Sequence, residues 1–205
     1  MRLVFASNNA HKLDEVRRIM PSGIEVLSLS DIGFEADIEE TGTTLEENSA
    51  IKASTVAAFI VESGKWKAER LDGVFADDTG LEIDALGGKP GVYTARWAGE
   101  PAANRKKAIA ELKGKENRGA QFRTVITLIR IENGALRLQD TTLQVEGVVR
   151  GRIAEEEYGN GGFGYDPVFI PEGYDKTFGE LPAEIKNSIS HRSRALAALV
   201  KVLNG

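Results

Sequence analysis

The order of strand-like and helix-like segments restricts the fold of this chain more than any other sequence feature. Early on, strand-like segments at residues 2–6 and 24–27 flank residues 9–20, where apolar side chains recur at helical spacing. Later, two β-rich stretches, residues 120–131 and 135–149, are separated by an Asn-Gly dipeptide, which is a strong hairpin signal. Residues 150–160, which follow them, are polar and turn-like. Strands that alternate with helices, followed by an antiparallel pair, predict a three-layer α/β protein with a mixed sheet.

Three further helices are predicted from their caps and their apolar periodicity. Thr44 and Glu47 form a capping box at the start of a helix that runs to about Glu62, and Thr43 with Glu46 offers another box one residue earlier. Residues 102–112 have helical spacing, and Ser190 is an N-cap before a last helix with an apolar face. No internal repeat, low-complexity stretch or flexible linker separates these segments, so the sequence shows no domain boundary.

Composition excludes several classes of protein. The chain has 205 residues, of which 41% are hydrophobic, so we expect a single domain over residues 1–205 with a substantial core. A net charge of −5 argues against broad binding to nucleic acid, and no apolar run is long enough to span a membrane. The absence of cysteine excludes disulfides and a cysteine nucleophile. We also expect no signal peptide, and therefore a soluble, cytoplasmic protein.

The first candidate motif, Ser7-Asn8-Asn9-Ala10-His11-Lys12, follows an apolar strand and opens a helix. Helix N-termini carry partial positive charge and normally attract acidic side chains, yet the first turn here holds two bases. The serine and the two asparagines can cap the helix and offer further hydrogen bonds. The motif therefore predicts an anion-binding loop, with a capped helix and a solvated lysine as the alternative.

Two acidic clusters are candidates for a metal site. Asp77-Asp78 come after the apolar run at residues 73–76, and we expect them at the carboxyl end of that strand, where open α/β sheets bind ligands. Glu39-Glu40 precede the capped helix. Carboxylates with open water positions suit Mg²⁺ that is also bound to phosphate oxygens. An acidic turn and a solvated edge are the alternatives, and the sequence does not decide between the two glutamates.

The glycine-rich residues 159–167 contain glycines at the spacing of a dinucleotide-binding fingerprint. That fingerprint needs a following helix, whereas the residues after it read as extended chain, so we reject the assignment. A tight loop that approaches a ligand closely is the better interpretation. In it, Phe163 and Tyr165 are candidates for stacking on a flat ring, and Asp166 for accepting hydrogen bonds from that ring. A glycine turn with core aromatics is the alternative.

Several basic residues complete the set. Lys52 lies within an apolar stretch of its predicted helix and shares a face with Asn48 at a spacing of four. A bound phosphate or snorkelling to solvent would explain that lysine. Lys186, His191 and Arg192 lie around the start of the last helix, which is the second helix whose positive end carries bases. Arginine offers a rigid fork of donors and lysine a mobile charge, with an exposed basic turn as the alternative.

In this order, the motifs resemble those of the inosine triphosphate pyrophosphatase family, whose members remove deaminated purine nucleotides. The matching blocks are residues 7–12, 39–42, 47–48, 52–53, 76–81, 87–91, 94–96, 161–167 and 190–192. No single block is decisive, but the ordered series covers nearly the whole chain and is specific. Thr79 and Thr94 stand where many members have serine, and this change keeps the hydroxyl group.

The resemblance implies a hydrolase that uses Mg²⁺ to cleave ITP, dITP or XTP to the monophosphate and pyrophosphate. It also implies a long mixed sheet with flanking helices, two lobes around a substrate cleft and, in most members, a homodimer. Asp78 would activate the attacking water. The implied metal ligands are drawn from Glu39, Glu40, Asp77 and Asp78.

The resemblance also divides the substrate between two groups of residues. The triphosphate would be bound by Ser7, Asn8, Asn9, Ala10, His11, Lys12 and Lys52. The base would be bound by Phe163, Gly164, Tyr165, Asp166, Lys186, His191 and Arg192, and Thr79 would also contact the substrate.

Two other functions are compatible with the sequence. One is a pyrophosphatase for modified pyrimidine or methylated nucleotides, of the septum-inhibitor-like type, which a panel of substrates would distinguish. The other is a nucleotide-sensing protein that binds without turnover. The acids at residues 39–40 and 77–78 argue against a sensor, because binding phosphate alone needs bases.

Overall fold

The computed structural model describes residues 1–64, 70–132, 135–136 and 142–204, which form eight strands and five α-helices. The strands are Arg2–Phe5 (β1), Glu25–Leu27 (β2), Gly73–Ile83 (β3), Pro90–Gly91 (β4), Gly119–Glu132 (β5), Ala135–Leu136 (β6), Thr142–Ile153 (β7) and Phe169–Pro171 (β8). The helices are Ala10–Ile19 (α1), Leu45–Ser63 (α2), Pro101–Glu111 (α3), Ala183–Ile189 (α4) and His191–Asn204 (α5).

The strands form a mixed sheet, as the sequence predicts. They pair in the order β2-β1-β3-β5-β7-β8, with β4 added to β3 and β6 added to β5. β1 is parallel to both β2 and β3, whereas β7 and β8 are antiparallel. The prediction of an α/β fold with flanking helices is therefore confirmed.

The chain divides into two compact units. The first unit comprises Met1–Asp78, Val125–Glu146 and Ala195–Gly205, and the second comprises Thr79–Thr124 and Gly147–Arg194.

The core of the first unit follows the alternation of side chains along β1 and β3. Leu3 and Phe75 lie in a buried cluster with Val16 of α1 and with residues of α5. Val4 and Val74 lie in another cluster, with residues of α2. Helices therefore cover both faces of these strands, which gives the three layers expected from the sequence.

The core of the second unit is built from aromatic and branched side chains. Phe169 of β8 packs against Phe122 of β5 and against Phe178, with ring centroids 4.6 and 5.4 Å apart. Leu81 and Ile83 of β3 and residues of α3 complete this cluster. These contacts provide a rigid base for the loop that precedes β8.

Three local predictions are wrong. β3 does not end at Asp77-Asp78 but continues to Ile83, so the acidic pair lies in mid-strand. Residues 150–153, expected as a turn, belong to β7. Residues 166–168, expected as extended chain, form a single 3₁₀ turn before β8. The predicted hairpin at Asn133-Gly134 lies outside the described residues.

The sequence also gave no indication of α4. Its seven residues are too few for a clear helical period, because fewer than two turns repeat the apolar face.

The start of α2 has the predicted capping box. Thr44 Oγ1 accepts a hydrogen bond from Glu47 N at 3.1 Å, and Glu47 Oε2 accepts one from Thr44 N at 3.3 Å. Glu47 also binds the backbone and hydroxyl of Thr43, and these hydrogen bonds, the backbone one first, lower the pKa of its carboxyl group. The first turn of α2 is thus firmly held.

No helix in the described part of the chain is long and apolar enough to cross a membrane.

Removing the cap should destabilise the protein. We expect Thr44→Ala to lower the free energy of unfolding by about 1 kcal/mol, because the amide of Glu47 loses its acceptor. Urea unfolding followed by circular dichroism measures this loss. Thr55→Ala, on the exposed middle of the same helix, is the control and should change stability by less than about 0.5 kcal/mol. Equal losses in the two variants would contradict a role for the cap.

Candidate active site

Two adjacent carboxylates of β3 are neutralised by lysines from different helices. Asp77 Oδ1 accepts a hydrogen bond from Lys12 Nζ of α1 at 2.8 Å. Asp78 Oδ1 accepts one from Lys52 Nζ of α2 at 3.0 Å. Neighbouring strand residues point to opposite faces, so each acid meets the helix on its own side. This pairing explains how two acids can occupy mid-strand positions in a buried β-strand.

Lys52 binds two carboxylates at once. Its Nζ lies 2.6 Å from Glu40 Oε1 and 3.0 Å from Asp78 Oδ1, and the residue is only 7% exposed. The buried position therefore reflects internal ion pairs rather than snorkelling to solvent. A bound phosphate is not needed to account for it.

The ionisation of this pair is set by burial and by charge. Burial opposes the charge on Lys52, but the nearby carboxylates of Asp78, Asp77 and Glu40 outweigh it and raise the pKa of the ammonium. Burial raises the pKa of Asp78, an effect that Lys52 and Lys12 only partly offset. Asp78 is therefore a carboxylate with increased proton affinity, the property that a general base requires.

Asn48 is a further member of this cluster. Its Nδ2 donates a long hydrogen bond of 3.4 Å to Asp78 Oδ2, and its Oδ1 accepts one of 2.8 Å from Gly42 N. The sequence placed Asn48 on the helix face of Lys52 but assigned it no role. The spacing of four residues between these polar groups in an apolar helix is the signal that points to it.

The carboxylates of Glu40 and Asp78 fit a magnesium ion in their chemistry. Their oxygens already surround one small cation, the Lys52 ammonium, and Mg²⁺ is commonly bound by one or two carboxylates together with substrate phosphates. Within the described residues, no group of three or more acidic or histidine side chains is arranged to hold a metal ion. The predicted ligand Glu39 is exposed, and Asp77 is bound to Lys12 instead.

The N-terminal loop caps α1, which both interpretations of its sequence allow. Asn9 caps α1 by accepting a hydrogen bond from Lys12 N at 3.1 Å, and Ser7 Oγ accepts one from Asn9 N at 3.3 Å. No acidic residue lies in the first turn, while His11 there is exposed. A cavity of about 410 Å³ lies at this loop. Its lining includes Ser7, Asn8, Asn9, Ala10, Ser28 and Ser30.

In the second unit, a buried ion pair organises the glycine-rich loop. Asp166 Oδ2 accepts hydrogen bonds from Lys186 Nζ at 2.6 Å and from Phe163 N at 2.7 Å. Gly162 has φ +71°, and a Cβ at that position would collide with the Asp166 carboxylate. The loop thus requires glycine here for two independent reasons. The rejection of a dinucleotide fingerprint is confirmed, because no α-helix follows directly.

Cationic side chains lie next to the ring of Phe163. The Lys186 ammonium is 4.9 Å and the Arg192 guanidinium 5.7 Å from the ring centroid, distances typical of cation–π contacts. Arg192 is 1% exposed and donates a long hydrogen bond of 3.4 Å to Thr79 Oγ1. His191 stacks on Phe122 at 4.6 Å. These residues are buried, so the alternative of an exposed basic turn is wrong.

Tyr165 and Gly164 are placed differently from Phe163. The Tyr165 ring belongs to the buried core, its hydroxyl donates to Thr94 O at 3.0 Å, and burial raises the pKa of that hydroxyl. Gly164 O accepts from Arg105 Nη1 at 3.0 Å. The aromatic residue of this loop that is only half-buried is therefore Phe163.

Comparison with known proteins identifies the relatives of this chain. Residues 3–202 match the Ham1 family. The chain belongs to the Ham1 family. It is 45% identical over 206 residues to the dITP/XTP pyrophosphatase of Flavobacterium johnsoniae, covering 99% of this chain and 98% of that protein. It is 46% identical over 206 residues to the dITP/XTP pyrophosphatase of Bacillus subtilis, covering 98% and 96%.

Solved structures of the Ham1 family agree with this fold. The Staphylococcus aureus Ham1 protein is 38% identical, with a TM-score of 0.82 over 100% of this chain and 99% of that chain. A HAM1 protein from Coxiella burnetii is 35% identical, also with a TM-score of 0.82, over 100% and 98%. The family resemblance inferred from the ordered motifs is thus confirmed.

Breaking the buried pair in this Ham1 family protein should be strongly destabilising. We expect Lys52→Met to lower the free energy of unfolding by about 3–5 kcal/mol, because Asp78 stays buried without its cation. Adding Asp78→Asn to that variant should recover most of the loss, since the buried negative charge is removed. Urea unfolding of both single variants and the double variant measures the coupling.

An exposed lysine provides the control for this cycle. Lys176→Met removes an equal charge at the surface and should change stability by less than about 0.5 kcal/mol. Strictly additive losses for Lys52→Met and Asp78→Asn would show that the two side chains do not stabilise each other.

Proposed function

We propose that this protein hydrolyses the deaminated purine nucleotides ITP, dITP and XTP to the monophosphate and pyrophosphate, and so removes them from the nucleotide pool. The protein is a nucleoside triphosphate pyrophosphatase of the Ham1 family, like its dITP/XTP pyrophosphatase relatives. The observation that carries the proposal is the cluster of the buried Asp78 and Lys52 with the half-buried Glu40, in which an acid of raised pKa lies beside a second acid and a cation.

The first unit supplies groups suited to the triphosphate. Lys12 and Lys52 are cations on two helices, and the loop of Ser7, Asn8, Asn9, Ala10 and His11 lies at a helix N-terminus. Amide groups at such an end and the helix dipole both favour anions. We assign these residues to the phosphate tail, with the lysines neutralising charge that builds up during cleavage.

Glu40 and Asp78 are the residues that would hold Mg²⁺. Glu40 is the better candidate than Glu39, because Glu40 reaches Lys52 and Glu39 is exposed. Asp77 is bound to Lys12, which supports a role in placing that lysine. When bound, the ion would neutralise phosphate oxygens. Asp78, with its raised pKa, accepts the proton of the water that attacks the α-phosphorus.

The second unit supplies groups suited to a purine base. Phe163 offers a ring for stacking, while Lys186, His191 and Arg192 offer donors and Asp166 an acceptor. A side-chain donor that binds the 6-oxo group of hypoxanthine or xanthine would find no acceptor if adenine, with its 6-amino group, were bound instead. Sites built on such hydrogen bonds can discriminate by about 10⁴-fold. Thr79 and Tyr165 are proposed to support this set, together with the backbone of Gly164.

The finer assignments of assembly and location are also proposals. A homodimer is supported by the family resemblance. Action in the cytoplasm is supported by the proposed substrates, which come from the pool of free nucleoside triphosphates. The absence of cysteine from the chain also supports this location.

Asp78→Asn should abolish turnover while the protein stays folded. The amide cannot take up the proton of water, so we expect kcat for ITP to fall by at least about 10³-fold. Pyrophosphate release is measured with Mg²⁺ and again after chelation, which should also stop the reaction. Asp84→Asn, which alters a surface pair with Arg150, is the control and should keep wild-type activity.

Two outcomes would contradict this mechanism. Near-normal activity of Asp78→Asn would remove Asp78 from the chemistry. Release of single phosphates instead of pyrophosphate would indicate a phosphatase.

The two kinds of base contact should be separable by mutation. Phe163→Ala should raise KM for ITP and ATP alike, by about 5- to 100-fold, because stacking acts on every base. Lys186→Gln should instead lower the ratio of kcat/KM for ITP to kcat/KM for ATP, since it removes a charged donor. Steady-state kinetics on ITP, XTP, GTP and ATP measures both effects. An unchanged ratio in Lys186→Gln would exclude Lys186 from base selection.

A further inference from the structure

We propose that Asn48 is a positioning residue for the reaction, which orients the Asp78 carboxylate and ties the segment carrying Glu40 to it. The inference rests on the proposed function, because Asp78 is the base there. It assigns a role to a side chain that is itself neither base nor ligand.

The Asp78 carboxylate is held at both oxygens from one helix. Lys52 donates to Oδ1 at 3.0 Å, and Asn48 donates to Oδ2 at 3.4 Å. The two donors lie four residues apart on α2, so they are stacked one turn apart on the same face. Two donors on different oxygens oppose rotation of the carboxylate, which a single ion pair does not.

The other end of the same amide group holds the acidic segment. Asn48 Oδ1 accepts a hydrogen bond of 2.8 Å from Gly42 N, two residues after Glu40. The approach is so close that a Cβ on Gly42 would lie 2.6 Å from Asn48 Oδ1 and 2.7 Å from Glu47 Cβ. Glycine is therefore required at this position by contact and not by backbone conformation.

Only an amide meets both demands at this position. Asn48 is 0% exposed, so each polar atom that lost its partner would be costly. An aspartate keeps the acceptor for Gly42 but has no donor for Asp78, and an aliphatic side chain has neither. Asn48 is thus the shared link between the acid proposed as base and the segment of the second acid.

A second asparagine in the chain shows which part of this arrangement is general. Asn104 is the fourth residue of α3, as Asn48 is of α2, and its Oδ1 also accepts from the backbone N–H six residues earlier, that of Ala98. Its Nδ2, however, donates to the carbonyls of Thr94 and Ala95. Holding the preceding loop is common to both residues, while contact with a carboxylate distinguishes Asn48.

The experiment compares Asn48→Ala and Asn48→Asp with Asn104→Ala. We expect both Asn48 variants to lower kcat for ITP by about 100-fold, the effect typical of a small misplacement in an active site, with KM changed by less than about threefold. Affinity for Mn²⁺, used alone as the probe and titrated by electron paramagnetic resonance, should fall about tenfold in Asn48→Ala. Asn104→Ala should lose similar thermal stability yet keep kcat within about threefold.

Each result decides the matter. If Asn48→Ala loses only stability, with kcat and Mn²⁺ affinity like those of the wild type, Asn48 is structural and the inference is overturned. If Asn48→Ala does not fold, Asn48→Asp, which retains the acceptor for Gly42, is the deciding variant, and a wild-type kcat overturns the inference.

The proposed function is tested separately, by the activity of the wild-type protein. If the wild-type protein releases no pyrophosphate from ITP or XTP, that function is wrong, and the Mn²⁺ titration then decides about Asn48. A tenfold loss of affinity in Asn48→Ala would support the positioning role, and equal affinities would overturn it.

Discussion

The candidate site depends on the ion pairs of Lys52, whose ammonium group lies between the carboxylates of Glu40 and Asp78. A buried carboxylate is tolerated only with a charge partner and hydrogen bonds. Lys52 supplies that charge for the buried Asp78 and also pairs with the half-buried Glu40. Without it, the carboxylate of Asp78 would be buried without a cation in the middle of β3, which continues to Ile83. Burial raises the pKa of Asp78, and Lys52 only partly offsets that effect, so the burial that makes the ion pair necessary also increases the proton affinity of the carboxylate.

Rigid elements hold the groups that such chemistry needs. Asn48 and Lys52 are presented by α2, a helix of 19 residues with a complete capping box and a face packed in the first core. The second unit uses an equivalent device, in which the buried Asp166–Lys186 pair fixes a loop through Phe163 N. In both cases an acid of the charged pair also holds a backbone segment. Asp166 accepts a hydrogen bond from Phe163 N directly, and Asp78 is linked to Gly42 N through Asn48. Preorganisation of this kind lowers the cost of ordering groups when a ligand arrives.

The sequence predicted the elements well wherever the signal was local. Thr44 is the N-cap expected from residue type and spacing, and Asn9 is one of the three candidate caps of α1. The apolar run after Arg2 predicted β1 as a buried strand. Prediction from the sequence failed where contacts between distant residues decide the local structure. Asp77-Asp78 read as the end of a strand because acids favour turns, but lysines distant in sequence keep the strand intact. The seven residues of α4 are likewise held by packing and the Lys186–Asp166 pair rather than by their own periodicity.

By itself, the sequence determined the fold class, the family and the chemical types of the candidate residues, because caps, periodicity and ordered motifs are local properties of the chain. Only the tertiary structure decided which charges meet. It paired Lys12 with Asp77 and Lys52 with Asp78 and Glu40, it placed Asn48 against Asp78, and it buried Arg192. Such pairings join residues up to 65 positions apart, and they depend on distances of a few ångströms that spacing along a chain does not specify.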